Sequence, residues 1–211
     1  INDINVSVID IEVSSAYGFP DPYEARAPIT AICIRQLNGN SVVFGCRDYD
    51  CPENVTYIKC ENEHKLCMKF VEYWQSDYPD VISGWNTDFF DIPYLANRIK
   101  QVCGEDKMRE LSPWKNVSAR KIYSMGRNHL MYDIMGVSQY DYLQLYQKFT
   151  YTRQESYKLD YIASVELGEK KDENPYETFR EWYEKDFQSF IDYNIQDVEI
   201  VDKLEDKMGL I

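Results

Sequence analysis

The 211-residue chain contains no apolar run long enough to span a membrane and no signal-peptide pattern, so a membrane-embedded protein is not expected. It is short of positive charge: 23 Lys and Arg stand against 36 Asp and Glu, a formal net charge of −13. A free-standing, sequence-independent nucleic-acid binder normally carries a basic footprint, and this balance argues against that class. It leaves room for an enzyme that uses metal cations to bring phosphates near carboxylates. Histidine is scarce, with two residues, and the six cysteines include no C-x₂-C pair. Cys46, Cys51, Cys60, His64 and Cys67 therefore make a poor zinc framework, and nothing regular suggests disulfides, as in a reducing compartment. There is no internal repeat, low-complexity tract or convincing linker, so one domain over residues 1–211 is expected. The text opens on Ile1, almost inside a strand, as a piece of a longer protein would.

What is abundant is aromatic: 18 Tyr, 9 Phe and 4 Trp argue for a packed core and against disorder. Charge is also uneven, since Arg98 to Arg127 holds eight Lys/Arg against three Asp/Glu. Apolar periodicity predicts a strand through Val6–Val13, a hairpin from Ile29–Leu37 to Ser41–Phe44 across Asn38-Gly39-Asn40, and a strand over Val55–Lys59. A helix follows over Glu61–Tyr78, with Leu66, Cys67, Phe70, Val71 and Trp74 on one face. An exposed hairpin is read at about 120–134, a strand passing into a helix over Val137–Phe149, helices over Tyr157–Glu166 and Asp186–Lys207, and an amphipathic stretch over Pro175–Lys185. His129 stands among polar loop residues with no evident partner.

Three acidic patterns stand out. Asp10-Ile11-Glu12 places two carboxylates on one face of a strand, roughly 6.5–7 Å apart, where they repel unless solvated or bridged by a cation. An edge strand with a wet face would look the same. Ser83-Gly84-Trp85-Asn86 leads through Phe89-Phe90 to Asp91-Ile92-Pro93-Tyr94, a strand, a turn and a helix start; Asp91 there is either a cap or a displayed acid. Tyr193 and Asp197 are four apart and share a helix face, as a plain surface pair also would.

Together, in this order, the patterns are far more specific than their parts. The sequence resembles the proofreading 3′→5′ exonuclease domain of family B DNA polymerases, most closely the T-even bacteriophage type. The three exonuclease motifs are matched by Asp10-Ile11-Glu12, by Gly84-Trp85-Asn86 with Phe90-Asp91-Ile92-Pro93-Tyr94, and by Tyr193-Asn194-Ile195-Gln196-Asp197. Lesser matches are Gly18-Phe19-Pro20, Asp141-Tyr142-Leu143 with Leu145-Tyr146, and Ser156-Tyr157 with Leu159-Asp160. The likeness covers nearly the whole chain, although the segment Cys46–Val55 looks shorter than its phage counterparts and no polymerase-domain signature is present.

The resemblance implies an α/β, ribonuclease H-like fold, a mixed sheet with helices on both faces. It implies a nuclease releasing nucleoside 5′-monophosphates from the 3′ end of single-stranded or frayed DNA, as proofreading for a DNA-directed DNA polymerase. Two divalent ions, Mg²⁺ or Mn²⁺, would sit ~4 Å apart among Asp10, Glu12, Asp91 and Asp197. Asp10 would bridge both; Glu12 and Asp197 would serve the ion of the nucleophilic water; Asp91 would hold the other, and Tyr193 would orient the water. Phe19 would stack beside the terminal bases. Asn86 would hold the terminal nucleotide's backbone, Phe90 would line the substrate site, and Lys171 would contact phosphate. The hairpin would help part primer from template. Implied partners are a single-stranded 3′ end or primer-template DNA and the polymerase domain of the same full-length chain; a sliding clamp is a further candidate. The compartment would be the cytoplasm, that of the bacterial host for a phage protein. Two rival readings are a related nuclease acting on RNA, and a catalytically silent module that holds DNA or braces the polymerase.

Overall fold

In the computed structural model, residues 4–14, 20–124, 126–170 and 174–211 are described. Among these described residues, eight strands and seven helices follow the order β1 (Val6–Val13), β2 (Ile29–Gln36), β3 (Ser41–Gly45), β4 (Val55–Lys59), α1 (Glu63–Ser76), β5 (Val81–Gly84), α2 (Asp91–Cys103), α3 (Glu105–Arg109), β6 (Val117–Ser124), β7 (Arg127–Ile134), β8 (Ser138–Asp141), α4 (Tyr142–Phe149), α5 (Leu159–Leu167), α6 (Phe179–Lys185) and α7 (Phe187–Met208). Six strands form one sheet in the order β4-β3-β2-β1-β5-β8, and β6 and β7 form a separate antiparallel pair. β1 and β2 are antiparallel, as are β2 and β3, whereas β5 lies parallel to both β1 and β8. The mixed sheet and the helices are those of the expected ribonuclease H-like α/β fold.

Strand alternation divides the core. Ile9, Ile11 and Val13 face one layer, built with Phe70, Trp74, Ile92, Leu95 and Ile99 from α1 and α2. Ala31, Cys33 and Val43 face the other, closed by Tyr142, Tyr146, Ile162, Trp182, Phe190, Val198 and Val201 from α4 to α7. Burial of these side chains, about 1.5–3 kcal/mol each, is the main force holding the layers to the sheet. Asp10 and Glu12 pair across the ladder with Cys33 and Ala31. They therefore rise on the α7 side of the sheet.

Long-range polar ties set the angle of the helices over this sheet. On α7, Asp202 accepts Arg35 Nε at 2.6 Å and the Asn38 backbone N–H at 3.1 Å, fixing the helix across β2. Arg98 of α2 grips Glu63 of α1 with two bonds of 2.7 Å. The loop after Pro20 is fastened to α2 by Asn97 Nδ2 to Pro22 O (2.7 Å) and Gln101 Nε2 to Glu24 O (2.8 Å).

Several sequence expectations are corrected in detail. The hairpin begins at Val117 rather than near 120, because Val117 and Ser118 pair with Ile134 and Asp133. Helix α1 starts after Asn62, whose side chain accepts from Lys65 N, and is shorter at both ends than its apolar pattern suggested. His129 is not a loop residue: it is 5% exposed on β7, with its ring centroid 4.4 Å from that of Phe89. The positive charge of Arg98–Arg127 is largely matched, since Arg98 pairs with Glu63, Lys100 and Arg109 with Glu105, Lys107 with Glu110 and Arg120 with Asp133.

Candidate active site

The site lies where β5 stops and β1 continues. The last parallel pair between them is Val8 with Ser83, so Asp10, Ile11 and Glu12 run on past the end of β5. A crevice outside the carboxyl end of a parallel strand is where open α/β sheets bind ligands. At Glu12–Val13 the pairing with β2 slips by one residue, and Thr30 Oγ1 bonds Glu12 O at 3.0 Å across the irregularity. A bulge at this place re-aims the end of the strand.

Gly84 closes β5 so near β1 that a Cβ there would press on the backbone oxygen of Ile9 and on Thr87. The turn that follows puts Asn86 at φ +66, a left-handed conformation that Asn tolerates better than most residues. Asp141 secures it. This carboxylate caps α4 through Leu143 N (3.0 Å) and accepts Asn86 N (2.9 Å), Asp88 N (3.4 Å) and Gln144 Nε2 (3.2 Å). Burial pushes the Asp141 carboxyl up, and these donors pull it back down. Asp88, beside it, is pushed up to about 6 by burial first and by the Asp141 charge second.

Asp91 does not cap α2. Phe90 occupies the cap position without a side-chain bond, and Asp91 is the first helical residue, 3% exposed. Its Oδ1 reaches β1 and accepts the backbone N–H of Ile11 at 3.0 Å. Burial raises the Asp91 carboxyl above its ordinary range; the Ile11 N–H opposes the shift, and the charges of Asp141 and Asp197 add to it.

From the other side, α7 lowers Asp197 onto β1. Asp10, Glu12 and Asp197 each offer an oxygen within 4.8 Å of the others, and Glu12 and Asp197 are both 8% exposed. Three carboxylates this close and this buried repel unless a positive charge stands among them, and an all-oxygen set of this kind suits Mg²⁺ or Mn²⁺ better than zinc. The residues present thus fit a divalent cation. Tyr193, one turn before Asp197, has its ring centroid 4.9 Å from Trp182 and 5.9 Å from Phe179.

One cleft of about 490 Å³ gathers Asp10, Glu12, Asn86, Phe90, Asp91, Tyr193 and Asp197. Phe19 and Lys171, also singled out from the sequence, lie outside the described residues. Trp85 and Asp160, quoted from the sequence only within motif matches, share the cleft's walls, and so do Lys158, Asn174 and Phe179, which sequence reasoning missed. Lys158 is the single Lys or Arg among the described lining residues, and it could have been found from its place beside the Leu159-Asp160 match. A second cleft of about 440 Å³, between Pro20–Tyr23 and Asn128–Leu130 of the hairpin, shares Asn86 with the first.

Comparison with known proteins shows the family. Residues 2–162 match the family model described as DNA polymerase family B, exonuclease domain. The chain is 33% identical to the DNA-directed DNA polymerase of Escherichia phage RB69 over 99% of its own length and 26% of the relative's. It is 31% identical to the DNA-directed DNA polymerase of Enterobacteria phage T4 over the same shares, 99% and 26%. A more distant relative, DNA polymerase 2 of Aeropyrum pernix, is 26% identical over 81% of this chain and 19% of its own length. The chain thus spans about a quarter of the length of the curated phage relatives it matches.

Proposed function

The chain belongs to the exonuclease-domain family of family B DNA polymerases, and from that premise we propose that it removes nucleoside 5′-monophosphates from the 3′ end of single-stranded or frayed DNA. The observation that carries this reading is the cleft itself: three carboxylates converge within 4.8 Å, and Asp91, Tyr193 and Asn86 line the same walls. Asp10, Glu12, Asp91 and Asp197 would hold two divalent cations. When bound, such ions lower the pKa of water and neutralise charge developing on a phosphoryl group.

The chain's own residues do the rest. The Tyr193 hydroxyl orients the attacking water, its ring braced against Trp182 and Phe179. Asn86, held in its left-handed turn by Asp141, grips the backbone of the terminal nucleotide. Phe90 offers an apolar wall to the last base, and stacking of this kind tolerates any sequence. Phe19 and Lys171 keep the roles implied by the resemblance, a stacking wedge and a phosphate contact. A duplex must fray before its last phosphate can reach Asp10 and Glu12, so the substrate end is single-stranded. The hairpin β6–β7, which leans on the Asn86–Asp91 segment through His129 and Phe89, would part primer from template, as the resemblance implies.

In this reading residues 1–211 act as one domain of a DNA-directed polymerase, with the polymerase domain of the same chain and primer-template DNA as partners. Among the described residues no helix is long and apolar enough to cross a membrane. The bacterial cytoplasm as compartment and a sliding clamp as a further partner follow from the phage likeness alone.

The test is polarity and product. With Mg²⁺ present, 5′-labelled single-stranded DNA should shorten stepwise, and 3′-labelled DNA should release labelled nucleoside 5′-monophosphate at once; both should be lost in Asp10→Ala. Equal shortening of an RNA of the same sequence would favour the RNA nuclease. No shortening, with tight salt-dependent binding of the strand, would favour a DNA-holding module.

A further inference from the structure

Asn194 stands between Tyr193 and Asp197 on the face of α7 pressed against β1, and it is completely buried. Its Nδ2 donates to Asp10 Oδ2 at 2.6 Å. Its Oδ1, equally buried, accepts no hydrogen bond from any described residue. A buried acceptor left unmet lowers stability, and here the single bond from Nδ2 to the Asp10 carboxylate must offset that cost. The helix face around Asn194 is otherwise apolar, with Ile191 and Val198 one turn away on either side. Packing alone gives no reason for an amide at this place, and the asparagine calls for another explanation.

The chemistry of the amide supplies one. A lysine or arginine at this position would neutralise Asp10 and compete with a cation for it. An aspartate or glutamate would add a fourth negative charge to the cluster of Asp10, Glu12 and Asp197. An amide donates one hydrogen bond and carries no charge: it ties down one oxygen of Asp10, fixes the plane of the carboxylate, and leaves the charge intact. Outer partners that orient a metal-binding side chain in this way typically govern affinity by 10–100-fold.

We propose that Asn194 is a positioning residue for the cation site, holding the Asp10 carboxylate in the orientation that divalent metal requires. This rests on the reading of Asp10, Glu12 and Asp197 as metal ligands. It distinguishes Asn194 from its neighbours in the Tyr193–Asp197 stretch: Tyr193 faces the cleft, while Asn194 acts through Asp10 alone.

The test needs no catalytic readout. Mn²⁺ is titrated calorimetrically into the wild-type chain, Asn194→Leu, Asn194→Ala and Asp10→Ala, and thermal unfolding of each is followed in EDTA. For Asn194→Leu the expected result is a Kd for Mn²⁺ raised roughly tenfold or more in a chain that still unfolds cooperatively in EDTA. An unchanged Kd overturns the proposal, and so does unfolding in EDTA that is no longer cooperative, since that marks the amide as a packing element. If Asn194→Leu does not fold, the same two quantities are read from Asn194→Ala. Failure of both to fold makes the amide a requirement of the fold and ends the proposal. A wild-type chain that binds no Mn²⁺, or binds it as well after Asp10→Ala, sinks the metal reading itself and this inference with it.

Discussion

The carboxylate of Asp91 accepts the backbone N–H of Ile11 at 3.0 Å, joining residues 80 apart in the sequence. Ile11 lies between Asp10 and Glu12, beyond the last pair that β1 makes with β5. A single bond thus substitutes for the missing strand partner and locks the first turn of α2 to the acidic end of β1. The same side chain is one of the acids of the cleft.

Asp91→Ala and Asp91→Asn should therefore differ. Alanine leaves the buried Ile11 N–H unmet and should cost about 1–3 kcal/mol in urea unfolding. Asparagine keeps an acceptor for that N–H, and burial already disfavours the charged form of Asp91, so its stability at pH 7 should stay near wild type. Both should weaken Mn²⁺ binding, by about 10–100-fold if Asp91 acts on the second ion. Equal stability of the two variants would remove the structural half of this role.

Asp197→Asn should relieve repulsion among the three clustered carboxylates. Its Tm in EDTA should match or exceed wild type, and the rise in Tm that saturating Mn²⁺ gives the wild-type chain should shrink or vanish. By linkage the stabilisation behind that rise is about 2.7 kcal/mol at a metal concentration of 100 Kd. Differential scanning calorimetry with and without Mn²⁺ reads both quantities. A sharp fall in the metal-free Tm would mean that Asp197 serves the fold rather than the cations.

The Asp88 carboxyl, pushed up to about 6 by burial and by Asp141, makes a prediction about pH. A carboxyl whose folded pKa lies above its unfolded value binds protons more readily in the folded state. Its burial is harmless when protonated, and stability is lost as pH rises from about 4 to about 6. Asp88→Asn should then stabilise the chain by about 1–3 kcal/mol at pH 7 and have little effect at pH 4. Denaturant unfolding at the two pH values measures the difference; the same gain at both would contradict the assignment.

The fold was legible in the sequence because its strands and helices each obey one period. Ile9, Ile11 and Val13 alternate, and Leu66, Phe70 and Trp74 recur at helical spacing, so local pattern and tertiary burial coincide. The acids of the cleft were legible too, as ordered motifs. What pattern could not reveal was anything fixed by distant partners. Asp91 reads as a cap until Ile11 comes into reach. His129 reads as a loop residue until Phe89 covers it. The stretch from Arg98 to Arg127 reads as a local excess of positive charge because Glu63 and Asp133, which neutralise Arg98 and Arg120, stand outside it. Asn194 reads as a spacer between Tyr193 and Asp197, since its partner Asp10 is 184 residues away.

Gly84→Ala should be among the most damaging small substitutions in the chain. The added methyl would meet the Ile9 backbone, which cannot swing aside, and would force β5 from β1. A loss of roughly 1–3 kcal/mol is expected from overpacking. Because the Asn86 turn follows directly, the KM for a short single-stranded DNA should rise as well. A variant with wild-type stability and KM would show that the strands are free to part there.

If the carboxylates of Asp10, Glu12 and Asp197 act through divalent cations, cleavage must follow the metal and each acid together. The experiment is to follow 5′-labelled single-stranded DNA with wild type, Glu12→Gln and Asp197→Asn, in EDTA and after stepwise return of Mg²⁺ or Mn²⁺. Expected are no shortening in EDTA, recovery in wild type as either metal is restored, and little or none in the variants at any metal concentration. Shortening that persists in EDTA, or variants that match wild type once metal is returned, would contradict that role of the cations.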